Sequence, residues 1–445
     1  MNSNEREISF HFATTEMGID GLHWGFTVPT CFIDTQSAPA LVGIEPEQKY
    51  MRAFLMAGRG DLVVTDFPLN QKYVFNYLGG ILELELPQFL VVPDLSKQTV
   101  SDNLLGHPES LAKIDSWLKE KAGQLLFFNV TQRESRLAEA LGNPKIVCGN
   151  VEGAIHMGSK TGFKKLCQEL ELPTPFGSVC FNVDDTTAMV EEIMRRGKNG
   201  FIKIKEGTGG TDLQSNVLFS ASEMEQLGMD KRQYVCSKLT SFGKLLGDEW
   251  VVEEMVEGKD GSIHYYIDPD DGWAEPLVLG AISRDNSYVG GYFPYNASPQ
   301  ELELVSLAGE KLIPLLKSMN VTGFHCFDFK GGYFLEDNVR PGALDFVHQF
   351  VVRIAERHFP GLPYSWYHCH VPIPRPMRFE DIFSLLGNRL IPISHDGCFG
   401  AVSNVEVLPY GRALDLTAIS IGEGCSVEKA QTYFQETKKY LLEQL

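Results

Sequence analysis

The sequence predicts an α/β architecture for about the first 150 residues, then a longer strand-rich segment to about 372, then a C-terminal extension to 445. Three observations carry this. Up to residue 150, compact apolar runs alternate with stretches of helical spacing, the signature of a parallel sheet with crossover helices. Beyond it, Phe201–Lys205 and Phe324–Asn338 alternate as strands do and carry glycine turns, as in hairpins. Finally, 445 residues at 43% hydrophobic and 22% charged have the composition and length of a globular chain of two to three domains.

In the first part, Asp61–Thr65 (DLVVT) and Phe89–Val92 (FLVV) read as buried strands, and Pro108–Lys121 reads as a helix. Leu125–Val130 follows as a strand, Gln132–Leu141 as a helix and Ile146–Cys148 as a short strand. No Gly-x-Gly-x-x-Gly follows these strands, which argues against a dinucleotide site. The extension opens with the proline-rich PIPRPM and closes in a helix from about Ser426, whose Val427, Ala430, Tyr433 and Phe434 form one core-facing stripe. There is no internal repeat and no low-complexity tract.

The net charge of −19, from 39 basic and 58 acidic residues, offers no basic stripe for nucleic acid. The nine cysteines are scattered and odd in number, a pattern of reduced thiols in a cytoplasm. The N-terminus MNSNEREISFHF lacks a signal-peptide core, and no apolar run reaches membrane-spanning length, so neither secretion nor a membrane is expected. The sequons at Asn129, Asn296 and Asn320 are then unused, and Arg59-Gly60-Asp61 is a loop.

The chemistry concentrates between 151 and 372. In Gly323–Asp345 (GFHCFDFKGGYFLEDNVRPGALD), Phe324–Phe329 and Tyr333–Asn338 read as two arms around a Lys330-Gly331-Gly332 turn. Asp328 lies on the first arm. Glu336 and Asn338, two apart on the second, leave the same face. Two carboxylates and an amide oxygen suit Mg²⁺, or Mn²⁺ in its place; a polar hairpin facing solvent would look the same. In Phe201–Asp212 (FIKIKEGTGGTD), Ile202 and Ile204 face one side of a strand and Lys203 and Lys205 the other, ahead of Gly207, Gly209 and Gly210. Such a loop can bring backbone N–H groups close to phosphate, or be a plain flexible turn. Lys160 opens an amphipathic helix, where a lysine is ordinarily solvated. Trp250–Gly258 (WVVEEMVEG) is a strand that could hold a purine by its backbone or be an ordinary edge. His368-Cys369-His370 lacks a second pair of zinc ligands.

Taken in order, these four motifs resemble the ATP-grasp superfamily over roughly 155 to 345. The resemblance implies an ATP-grasp fold, α+β, in which two subdomains clamp ATP, one of them a glycine-rich lid at about 178–250. It implies ATP and Mg²⁺ as cofactors, with Lys160 and Lys203 on phosphate; Lys203 rather than Lys205 begins the family's Lys-x-x-x-Gly-x-Gly-Gly spacing. Glu253, Glu254, Met255 and Val256 match the adenine hinge, and Asp260 matches a ribose-binding acid. Asp328, Glu336 and Asn338 match the metal ligands, and Arg340 matches an arginine near the transferred phosphoryl group. Cys326 departs from relatives of the D-alanine ligase type, which carry arginine there; Arg340 or Arg284, in a loop at Ala281–Tyr288, would then serve the oxyanion. The N-terminal part (GRGDLVVTDFP, AEALGNP and GSKTGFKKL) is similar to the domain preceding ATP-grasp in bacterial peptide ligases of the pheganomycin-ligase type.

As to activity, the resemblance implies a carboxylate–amine ligase acting on small-molecule acids and amino acids or peptides through an acyl phosphate. A thiol or hydroxyl nucleophile, a small-molecule kinase and a non-catalytic nucleotide-binding module are the alternatives. Neither the substrates nor the oligomeric state is encoded in these motifs.

Overall fold

The computed structural model describes residues 28–33, 52–93, 99–206, 215–268, 272–273, 276–284, 286–392, 397–405, 408 and 413–445. The first sheet is built from four short apolar runs, β1 (Thr30–Ile33), β2 (Leu62–Thr65), β3 (Gln88–Val91) and β4 (Gln124–Phe127). Their order is β3-β2-β1-β4 and every pair is parallel. Parallel neighbours need crossovers, which the helical segments Lys72–Ile81, Val100–Leu105 and Pro108–Lys121 supply. The strand expected to be buried at Phe89–Val92 is instead an exposed edge, with Phe89 45% and Val91 41% accessible. Alternation puts Leu90 on the core side and leaves Phe89 outside, where its ring meets Phe75 at 5.8 Å. Ile146 makes a single parallel bridge to Leu125 in place of a short strand.

A second sheet, fully antiparallel, comprises β5 (Gly177–Cys180), β6 (Gly200–Ile204), β7 (Asn216–Phe219) and β8 (Trp250–Glu254), in the order β5-β8-β6-β7. With the helices Val183–Arg195 and Lys231–Ser241 it encloses a core of its own, in which Val190, Ile202, Phe219, Tyr234 and Val252 are fully buried. Trp250 Nε1 donates to Thr186 Oγ1 at 2.8 Å and ties strand to helix.

The third sheet spans the rest of the chain. It contains β9 (Asp260–Asp268), β10 (Gly272–Trp273), β11 (Leu277–Arg284), β12 (Ser287–Phe293), β13 (Gly323–Lys330), β14 (Tyr333–Asn338), β15 (Tyr364–Pro372), β16 (Cys398–Asn404) and β17 (Ala413–Ile421). The order is β14-β13-β9-β11-β12-β15-β17-β16, with β10 paired to β9. The segment after residue 372 therefore adds two strands to this sheet, β17 pairing along the whole of β15. The closing helix is Val427–Gln444, capped by Ser426, with Ala430 and Phe434 buried.

The largest core joins the N-terminal unit to this sheet: Phe54, Tyr73 and Tyr77 pack with Phe350, Trp366, Leu416 and Phe434. Polar ties reinforce it. Tyr73 Oη donates to the Val402 carbonyl at 2.8 Å, and Arg353 donates to the carbonyls of Phe54, Leu55 and Glu85. Among the described residues no helix is long and apolar enough to cross a membrane.

Candidate active site

Between the second and third sheets lies a cavity of about 880 Å³, and most of the chemically loaded motifs meet on its walls. The β13–β14 hairpin supplies the first wall. Its turn residues Gly331 and Gly332 have φ of +55° and +85°, the left-handed region that a two-residue hairpin of this hand requires. The turn sets the register: Asp328 stands opposite Glu336, and Cys326 opposite Asn338. All four side chains line the cavity. Asn338 Nδ2 donates to Asp328 Oδ2 at 3.0 Å, and Arg340 Nη2 donates to Asn338 Oδ1 at 2.9 Å.

Two carboxylates directly opposite on one sheet face repel each other. Burial, and then the facing Glu336, push the Asp328 carboxyl upward. Burial would raise Glu336 too, yet Lys160 and Lys203 outweigh it and hold that carboxyl below the usual range. Lys160 Nζ lies 2.8 Å from Glu336 Oε2. A lysine that opens a helix is ordinarily solvated, yet this one is 6% exposed. It opens the helix Lys160–Glu169, whose N-cap Ser159 accepts from the Gly162 N–H at 3.0 Å. The helix is seated by Phe163 against Phe327, ring centroids 6.0 Å apart.

Lys203 reaches the cavity from β6, where alternation buries Ile202 and Ile204 on the other side. Its Nζ is 2.5 Å from Glu253 Oε1. Lys164 takes the other oxygen of Glu253 at 3.1 Å, so that buried carboxylate anchors two lysines. Lys205 turns instead to Glu249 at 3.0 Å and does not line the cavity. Glu249 also holds Lys165 at 2.5 Å and Thr161 at 2.9 Å; burial opposes its charge, but these partners keep its pKa down at about 2.

Glu253, Glu254, Met255 and Val256 line the wall opposite the hairpin, followed by Glu257 and Gly258. The Glu254 and Met255 N–H groups are engaged by the carbonyls of Phe176 and Asn199, each at 2.8 Å. Asp260, first in β9, lines the cavity and pairs with Lys330 at 3.0 Å. Gly207, Gly209 and Gly210 lie outside the described residues.

Arg340 lines the cavity with its guanidinium 4.9 Å from the Phe128 ring centroid. Arg284 does not line it. The expected loop at Ala281–Tyr288 is the end of β11 and the start of β12; Ala281 and Ser283 line the cavity, while Arg284 sits exposed at the strand's end opposite Ser287. Arg284 is therefore corrected to a residue outside the site.

Several lining residues carried no sequence signal. Arg52 also stands 4.9 Å from the Phe128 centroid, making a second guanidinium on the wall shared with Arg340. His264 bridges Asp345 at 2.7 Å and Ser262 at 2.6 Å beneath Cys326. Asp415, also without a signal of its own, joins the His368–His370 pair seen in the sequence at the far end. His264, His368, His370 and Asp415 owe their positions to strand pairing between segments distant in sequence, and Arg52 to the start of the helix Ala53–Met56.

Residues 50–143 match the family model of the pre ATP-grasp domain. No curated protein is similar in sequence. Among solved structures, an ADP complex of N5-carboxyaminoimidazole ribonucleotide synthetase (PurK) superposes with a TM-score of 0.57 at 13% identity, covering 95% of this chain and 100% of that one. The biotin carboxylase of Campylobacter jejuni, in a β-γ-ATP complex, gives 0.56 at 13% identity and 94% coverage of each chain. The biotin carboxylase domain of Hydrogenobacter thermophilus 2-oxoglutarate carboxylase, with MgADP and bicarbonate, gives 0.53 at 14% identity over 89% of this chain and 86% of that one. The chain has the ATP-grasp fold, preceded by a pre-ATP-grasp domain. The second sheet, with its separate core, and the β9–β14 part of the third flank the cavity.

Proposed function

We propose that this ATP-grasp protein is an ATP-dependent carboxylate–amine ligase that forms an amide bond through an acyl phosphate, releasing ADP and phosphate. The observation that carries it is the meeting of Asp328, Glu336 and Asn338 with Lys160, Lys203 and Arg340 on the walls of one cavity. The sequence resemblance to peptide ligases of the pheganomycin-ligase type, and the ADP and ATP complexes among the solved neighbours, support it.

The site's residues fit a hard divalent cation. Burial, and then the facing Glu336, push Asp328 toward its neutral form, and a bound cation would offset both by favouring the charged carboxylate. Asp328, Glu336 and Asn338 would hold Mg²⁺, which when bound supplies charge for the phosphate oxygens. Lys160 and Lys203, released from Glu336 and Glu253, would take up phosphate charge. Met255, Val256 and their neighbours would flank the adenine, and Asp260 the ribose. Hydroxide is a poor leaving group, so a carboxylate must be phosphorylated before an amine can displace it. Arg340 and Arg52, together on Phe128, offer planar forks for the carboxyl oxygens before and during that transfer. The residue 178–250 half, with its own core, would close over the reacting groups and exclude water. The unbridged cysteines fit a reducing, cytoplasmic setting.

The test is a nucleotide-release screen across paired acids and amines with mass spectrometry of the products. ADP, phosphate and an amide are expected. AMP accumulation would replace the acyl phosphate with adenylation, a stable phosphoproduct would make the protein a kinase, and ATP binding without turnover would make it a binding module. In the same assay Glu336→Gln should retain the fold and lose turnover on the order of 10³-fold.

A further inference from the structure

The far end of the cavity holds a second cluster, separate from the Asp328–Glu336–Asn338 set. Alternation along β15 sends Cys369 into the core and puts His368 and His370 together on the cavity side. Strand β17 then places Asp415 directly opposite His370. One ligand atom from each of the three residues lies within 4.8 Å of the others. The missing partner for the His-x-His pair is thus a carboxylate 45 residues further along the chain, invisible in the local sequence (Asp415 against His370).

Two further observations point to a ligand. His368 Nδ1 is held 3.0 Å from Thr417 Oγ1, a neighbour on β17. An imidazole fixed through Nδ1 presents Nε2 in a set direction, as metal-binding histidines are held by their outer-shell partners. Asp415 Oδ1 is buried and has no hydrogen bond; His370 Nδ1 stands 3.2 Å from it without the alignment of one. Asp415 as a whole is 7% exposed, and a buried carboxylate oxygen without a hydrogen bond is costly unless a cation meets it.

We propose that His368, His370 and Asp415 bind a divalent transition-metal ion of the Zn²⁺ class. Two imidazoles and one carboxylate favour late first-row ions over Mg²⁺, which prefers an all-oxygen shell. Three protein ligands leave a coordination position on the cavity side. A water would fill it, or a nitrogen or oxygen donor of the molecule occupying that end of the cavity.

The test uses the full chain, stripped with chelator and titrated with Zn²⁺ and with Co²⁺ in excess Mg²⁺ and without nucleotide. A single high-affinity ion per chain is expected. The Co²⁺ form should show weak visible bands and no strong near-ultraviolet thiolate band. Asp415→Asn and His370→Ala should each weaken Zn²⁺ binding at least about tenfold, because each removes a ligand outright. Glu336→Gln should leave Zn²⁺ binding unchanged. His370→Gln, at a part-exposed position, gives the same reading if the buried Asp415→Asn does not fold. No binding, binding unaltered in the His370 variants, loss of Zn²⁺ in Glu336→Gln, or a thiolate band would each overturn the site. None of these readouts needs ATP or turnover, so failure here leaves the ligase reading standing.

Discussion

Two lysines two residues apart, Lys203 on β6 and Lys205 just past its end, receive different surroundings. Lys203 is nearly buried against Glu253 and faces the cavity, while Lys205 is 34% exposed in its side chain and faces Glu249. Lys203→Ala should weaken ATP binding at least about tenfold, the scale of a lost charge-assisted contact, whereas Lys205→Ala should change it little. A calorimetric titration with the reverse ranking would move the phosphate role along the strand. Arg340 is the second case. Its planar fork bonds Asn338 and faces Phe128, contacts that a lysine point charge cannot reproduce. Arg340→Lys should lower turnover far more than it lowers ATP affinity; equal turnover with the acid saturating would leave it a structural residue. These motif residues were legible because each sits in a short pattern. Arg52 and the His264–Asp345 pair were not, because only the tertiary fold brings them to the cavity.

At the scale of elements, the β13–β14 hairpin and the loop after β8 are built against each other. A Cβ on Gly331 would stand 2.0 Å from the Glu257 carbonyl oxygen, and one on Gly258 would stand 2.4 Å from Gly331 Cα. The turn carrying the carboxylates and the loop flanking the other wall thus touch backbone to backbone, which fixes the width of the cavity. Gly361 also has positive φ, +80°, but its Cβ would meet open space. Gly331→Ala and Gly361→Ala share the left-handed backbone cost of roughly 1–2 kcal/mol, so the clash alone separates them. Gly331→Ala should therefore melt at a clearly lower temperature than Gly361→Ala in differential scanning calorimetry, and equal melting points would show that the loop yields freely. The hairpin itself was legible from its alternation and its Gly-Gly turn. The strands β16 and β17 were not, since both of their faces are buried and a strand covered on both sides loses its alternation.

At the scale of the molecule, the cores are unequally shared. The largest runs without a break from the N-terminal helices through the third sheet to the closing helix, so those regions should open together. The second sheet has a core of its own and meets its surroundings largely through polar contacts, among them Lys164–Glu253, Lys165–Glu249 and Lys160 N–H to the Lys205 carbonyl at 2.9 Å. A unit with a private core and polar attachments can move as a body without exposing much apolar surface. Hydrogen exchange of the full chain should therefore show residues 178–250 exchanging faster than the third sheet without nucleotide. Addition of Mg²⁺ and a non-hydrolysable ATP analogue should slow exchange there and along Glu254–Gly258, and leave β15–β17 unchanged. Uniform protection of the whole chain on nucleotide binding would mean that the second sheet does not move independently, and the water-excluding closure would then have to come from elsewhere in the cavity wall.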